Sequence, residues 1–78
     1  MPSVLRSGSY RLFFYSGDKD ERRHVHVERE TQIAKFWLSP VRLQDSGGLR
    51  RVEMRTVERL VGEHVEELLR AWNEFFSA

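Results

Sequence analysis

The sequence predicts a small two-layer α+β domain, with a three- to four-stranded antiparallel sheet followed by a C-terminal amphipathic helix. Three observations predict it. Residues 3–43 carry short aromatic and β-branched runs in which side-chain character alternates with a period of two. Asp45-Ser46-Gly47-Gly48 then interrupts that pattern. Beyond the break, over 49–76, apolar residues recur with a helical period.

Val4-Leu5-Arg6 is the first strand, and Ser7-Gly8-Ser9 is a turn in which glycine supplies a positive φ. Tyr10-Arg11-Leu12-Phe13-Phe14-Tyr15 is the second strand, and Gly17 to Arg23 is a charged loop. A third strand runs from His24 to about Arg29, with a turn at Glu30-Thr31-Gln32. The fourth, Ile33-Ala34-Lys35-Phe36-Trp37-Leu38, ends near Ser39-Pro40 because proline removes a ladder donor. Val41-Arg42-Leu43 is a candidate for a short edge strand.

The stripe Leu49, Val52, Val57, Leu60, Val61, His64, Val65, Leu68, Leu69, Trp72, Phe75 and Phe76 then defines the apolar side of the helix. Arg55, Arg59, Glu63, Glu66, Glu67, Arg70 and Asn73 lie opposite, as a solvated face. Gly62 costs roughly 1 kcal/mol against alanine in a helix interior, so a bend or break is expected there.

A chain of 78 residues has room for one domain, so 1–78 is read as a single unit. At this size only about 60% of the unfolded surface is buried on folding, and such cores usually need reinforcement. The absence of cysteine excludes disulfides and thiolate metal sites, and fits a reducing compartment. A partner chain, self-association or a histidine/carboxylate site remains as reinforcement. Met1-Pro2-Ser3-Val4-Leu5-Arg6 lacks the apolar run of a signal peptide, and nothing approaches a membrane span. A cytoplasmic protein without membrane contact is expected. Formal net charge is +1, so bulk electrostatics do not announce a nucleic-acid binder. Eleven of the thirteen basic residues are arginine, a bias that suits phosphate recognition and that a GC-rich genome produces equally well.

Alternation gives the sheet two chemically different faces. Leu12, Phe14, Val25, Val27, Ala34, Phe36 and Leu38 should meet the helix. The other face collects Arg11, Phe13, Tyr15, His24, His26, Glu28, Lys35 and Trp37, and a two-layer domain leaves it partly open. Burial against a partner protein or a second copy is the first use for this face. Second comes an RNA platform, with bases on Phe13, Tyr15 or Trp37 and phosphates on Arg11 and Lys35. Third is metal-independent acid–base catalysis by His24 and His26, in the manner of a ribonuclease. Last is a metal site of His24, His26 and Glu28, which lacks a clear further ligand. No metal or other cofactor is assigned on this basis, since any two residues spaced as His-x-His share a strand face. His64 reads as a hydrogen-bonded histidine at the core's edge.

Several runs also carry a resemblance. Met1 to Arg6, Tyr10 to Ser16, His24-Val25-His26-Val27-Glu28, Ala34 to Val41 and Trp72-Asn73-Glu74-Phe75-Phe76 resemble a family of small bacterial proteins catalogued as a domain of unknown function. The resemblance implies a second small protein encoded alongside, in a toxin–antitoxin-like pair. A small partner protein, with RNA contact as a further possibility, is therefore expected. Two departures stand out. Arg22-Arg23 replaces a Pro-Pro that commonly precedes the first histidine, which loosens the strand entry and makes it more cationic. Arg50 replaces the serine of a Ser-x-x-Glu capping box whose Glu53 remains, so an incomplete cap is expected.

Overall fold

The computed structural model describes residues 3–77. Five strands, β1 (Ser3–Ser7), β2 (Tyr10–Phe13), β3 (His24–Arg29), β4 (Gln32–Leu38) and β5 (Val41–Asp45), form one sheet in chain order. Every neighbouring pair is antiparallel. The short run at Val41 is thus a full strand, and the sheet is an uninterrupted meander. A 3₁₀ turn (Ser16–Asp20) lies between β2 and β3, and two helices follow the sheet, α1 (Arg51–Glu63) and α2 (Val65–Phe76).

The turns follow from local chemistry. Gly8 sits at φ +58 between β1 and β2, as a tight reversal requires. Gly47, at φ +61, carries a stricter demand: a Cβ there would lie 1.8 Å from the Ile33 carbonyl oxygen. Only glycine lets the chain leave β5 so close to β4. β5 also shifts register against β4 between Lys35 and Phe36, which leaves Gln44 unpaired in the ladder.

The core lies between the sheet and the helices. Leu12, Phe14, Val25, Val27, Ala34, Phe36 and Leu38 are buried there with Leu49, Val57, Leu60, Val61, Leu68 and Trp72. These are the seven aliphatic-face sheet residues expected to meet the helix. The helical stripe is obeyed less completely. Val52 remains 63% exposed and Phe75 40%, while Met54 packs against the core. Val52 lies in the first turn of α1.

The single helical pattern is divided at His64 rather than at Gly62. The His64 ring places Nδ1 2.9 Å from the Leu60 carbonyl oxygen, the acceptor its own backbone N–H would take in a continuous helix. That N–H bonds instead to the Val61 oxygen, and the helix axis breaks there. At the other end of α1, the Arg50 N–H donates to Glu53 Oε1 at 3.0 Å. Arginine has no acceptor to return the bond, so half of the capping box is made. Glu53 also pairs with Arg29, tying the start of α1 to the end of β3. No helix among the described residues is long and apolar enough to cross a membrane.

Candidate functional site

The face of the sheet away from α1 is only partly open. After Phe13 the chain turns back over the second face instead of looping into solvent. The Tyr15 N–H donates to Asp18 Oδ2 at 2.9 Å, and Asp18 N–H to the Tyr15 carbonyl, which closes the 3₁₀ turn around its own carboxylate. This turn sets Asp18 against the histidines of β3. His24 and His26, two apart on one strand, necessarily share that face.

The result is a buried polar cluster. Asp18 is 7% exposed and His24 0%. His26 Nε2 lies 3.3 Å from Asp18 Oδ2 and donates to it. His24 Nδ1 lies 2.7 Å from the Arg22 carbonyl oxygen. A carbonyl only accepts, so Nδ1 carries a proton, and in the neutral ring Nε2 then presents a lone pair. That Nε2 is 3.0 Å from Asp18 Oδ2, yet it makes no hydrogen bond to the carboxylate or to any other described residue. With the ring neutral, two electron-rich atoms face each other inside the protein, a costly arrangement unless something electropositive joins them.

Aromatic rings wall the cluster in. His26 stacks on Phe13 with ring centroids 5.5 Å apart and meets Tyr15 edge-on at 4.6 Å. His24 touches Trp37 of β4 and Trp72 of α2, at 5.9 and 5.2 Å. Trp72 is thus shared between the aliphatic core, where it meets Phe14 at 5.2 Å, and the histidine cluster. Burial pushes the His26 imidazole below its ordinary value of 6.5, against the opposing pull of the Asp18 carboxylate.

The other expected site residues divide into two groups. Phe13 is completely buried beneath the Arg11 guanidinium, whose centre is 4.4 Å from the ring. Arg11 also forms an ion pair with Glu28 at 2.7 Å. Glu28 shares the histidine face but stands against Arg11, and the carboxylate that joins the histidines is that of Asp18. Tyr15 is 38% exposed at the margin. Lys35 and Trp37 lie on β4, directly across from His26 and His24 of β3.

On that side Trp37 is surrounded by cations. The Arg22 guanidinium lies 5.2 Å from its ring centre and the Lys35 ammonium 5.0 Å. Arg42 is its direct cross-strand partner on β5, which puts both side chains on the same face. Lys35 also bonds Glu21 at 2.8 Å, and this holds the Glu21 carboxyl below its usual range. A shallow cleft of about 430 Å³, lined by Glu21, Arg22, Arg23, Ser39 and Trp72, adjoins this patch.

Residues 9–73 match the family described as a domain of unknown function, DUF4160. The chain belongs to that family. The match takes in β2 to β5, the 3₁₀ turn, α1 and most of α2, so every residue of the histidine cluster lies inside the DUF4160 domain. No curated protein matches the chain, and no solved structure does.

Asp18 is the residue that reading the sequence alone passed over. It sits in a run of charges, Asp18-Lys19-Asp20-Glu21-Arg22-Arg23, that has every mark of a solvated loop. Its one distinguishing signal is its position three residues after Tyr15, the spacing at which a side-chain carboxylate can cap the backbone of a tight turn.

Proposed function

We propose that the domain is an interaction module, one half of a two-gene, toxin–antitoxin-like pair, and that it receives an acidic segment of a small partner protein. The receiving surface is the β4–β5 half of the second face. The observation that carries this reading is the setting of Trp37, a large ring flanked by Arg22, Lys35 and Arg42. Trp and Arg are the residues that most often dominate binding energy at interfaces. A cationic rim around an aromatic anchor complements carboxylates, and the adjoining Arg22–Arg23 cleft extends the positive surface. In such a pair the domain works in the bacterial cytoplasm.

Burial argues against direct acid–base catalysis by His24. Its side chain has no exposed surface, so a polymer substrate has no route to its nitrogen. RNA is the competing occupant of the Trp37 surface, because phosphates also complement three cations.

The test is binding of the adjacent gene's product to the purified domain, followed by calorimetry, with a single-stranded RNA oligonucleotide run in parallel. Trp37→Ala and Arg42→Glu are each expected to weaken the protein complex by about 10- to 100-fold, the scale of an interface hot spot. Circular dichroism should remain that of the wild type. Unchanged affinity in both variants would overturn the reading. So would tight RNA binding that both variants lose, in the absence of any protein complex.

A further inference from the structure

The enclosed Nε2 of His24 needs an explanation that neither core packing nor the Trp37 surface supplies. We infer that Asp18, His24 and His26 form a binding site for one divalent transition-metal ion, with zinc as the ion the ligands suit.

Four observations carry it. One donor atom from each of the three residues lies within 4.8 Å of the others, close enough to converge on one ion. His24 arrives already prepared. Its Nδ1–H is held by the Arg22 carbonyl at 2.7 Å, the outer-shell bond that commonly fixes a metal-binding imidazole and leaves its Nε2 lone pair directed inward. That lone pair is fully buried, lacks a hydrogen-bond partner among the described residues, and lies 3.0 Å from Asp18 Oδ2. A cation between the two atoms would turn a repulsive contact into a pair of ligand bonds.

Both separations that involve the carboxylate also fit. Bonds of about 2.0–2.1 Å to nitrogen and oxygen place neighbouring ligand atoms at about 2.9–3.4 Å, depending on the angle at the ion. The separations from Asp18 Oδ2 to the two histidine Nε2 atoms are 3.0 and 3.3 Å. Only His26 must rearrange, by moving its proton from Nε2 to Nδ1 so that Nε2 can coordinate. Two histidines and one carboxylate leave a fourth position for water.

An ion held this way would bind the 3₁₀ turn to β3, one form of the reinforcement that small cysteine-free domains usually need. The inference stands apart from the partner-binding proposal, since the cluster and the Trp37 patch involve different side chains.

The experiment uses the full chain, stripped with a chelator and titrated with Zn²⁺ in a calorimeter. A parallel titration with Co²⁺ is followed by visible absorption, which reports coordination directly. One ion per chain is expected, with a Kd on the order of micromolar or below. Asp18→Asn keeps the side-chain volume and an oxygen to accept the Tyr15 N–H, so the variant should fold. Its Kd should rise by about 100-fold or more, since losing a ligand costs at least as much as losing an outer-shell partner. Glu28→Gln should leave the Kd unchanged, because Glu28 is held by Arg11 outside the cluster. Three results would overturn the inference: no one-to-one binding below about 1 mM, no cobalt absorption band, or equal affinity in the Asp18→Asn protein.

Discussion

The two faces of the sheet are built from the same strands by opposite means. Beneath the helices, seven sheet side chains and six from the helical half meet as an apolar layer in which area and volume decide stability. On the other side, residues alternating with those seven are held by directed contacts. Asp18 accepts from Tyr15 and His26, Arg11 pairs with Glu28, and Lys35 pairs with Glu21. The first face tolerates exchange among residues of similar size, whereas the second depends on individual atoms. A face that buries polar groups in this way gives up apolar stabilisation in exchange for a defined geometry.

The comparison can be broken most forcefully from the apolar side. Phe36 is completely buried in the middle of the sheet, and Phe36→Ala should cost about 3–5 kcal/mol. Against the 5–15 kcal/mol typical of whole domains, that is a large share of the total, and urea denaturation measures it directly. Smaller, and specific to the other face, is Asp18→Ala in metal-free buffer. It leaves the Tyr15 N–H and the His26 Nε2–H without their acceptor, and should cost about 1–3 kcal/mol by the same measurement. A loss as large as that of Phe36→Ala would mean that the polar cluster, and not the apolar layer, holds the sheet together.

The smallest effect belongs to the Lys35–Glu21 pair at the solvent margin. The hydrogen bond from Lys35 lowers the Glu21 pKa below its usual value of 4.5, so the folded state prefers the ionised carboxylate. The stability this contributes is present above pH 4.5 and is lost as pH falls through the lowered value. Glu21→Gln should therefore flatten the acid side of a plot of Tm against pH while leaving the neutral region almost unchanged. An equal drop at pH 7 would show that the pair positions the turn and does more than carry charge.

Much of the fold is legible in the sequence. The period-two runs placed β2, β3 and β4 within a residue or two, and Gly8 marked its turn. The seven sheet residues assigned to the helix-facing side are all buried there. His64 was legible as a hydrogen-bonded residue at the edge of the core. Its role in dividing the helix was not, because ring capture of the Leu60 carbonyl depends on a rotamer and no periodicity records it.

The site was half legible. Spacing alone puts His24 and His26 on one face, whatever the rest of the chain does. Glu28, on that same face, is drawn away by Arg11, seventeen residues earlier in sequence and directly opposite on β2. Asp18 is brought in by a turn whose sequence reads as solvated.

What the sequence by itself determined is the order of elements, the two-faced character of each strand and the reversal points, since all of these follow from the backbone's period and from glycine's freedom. The tertiary structure alone decided which carboxylate meets the histidines and where the helix breaks. Those choices rest on contacts between residues distant in sequence, or on one side chain outcompeting a backbone group. Local pattern carries no record of either.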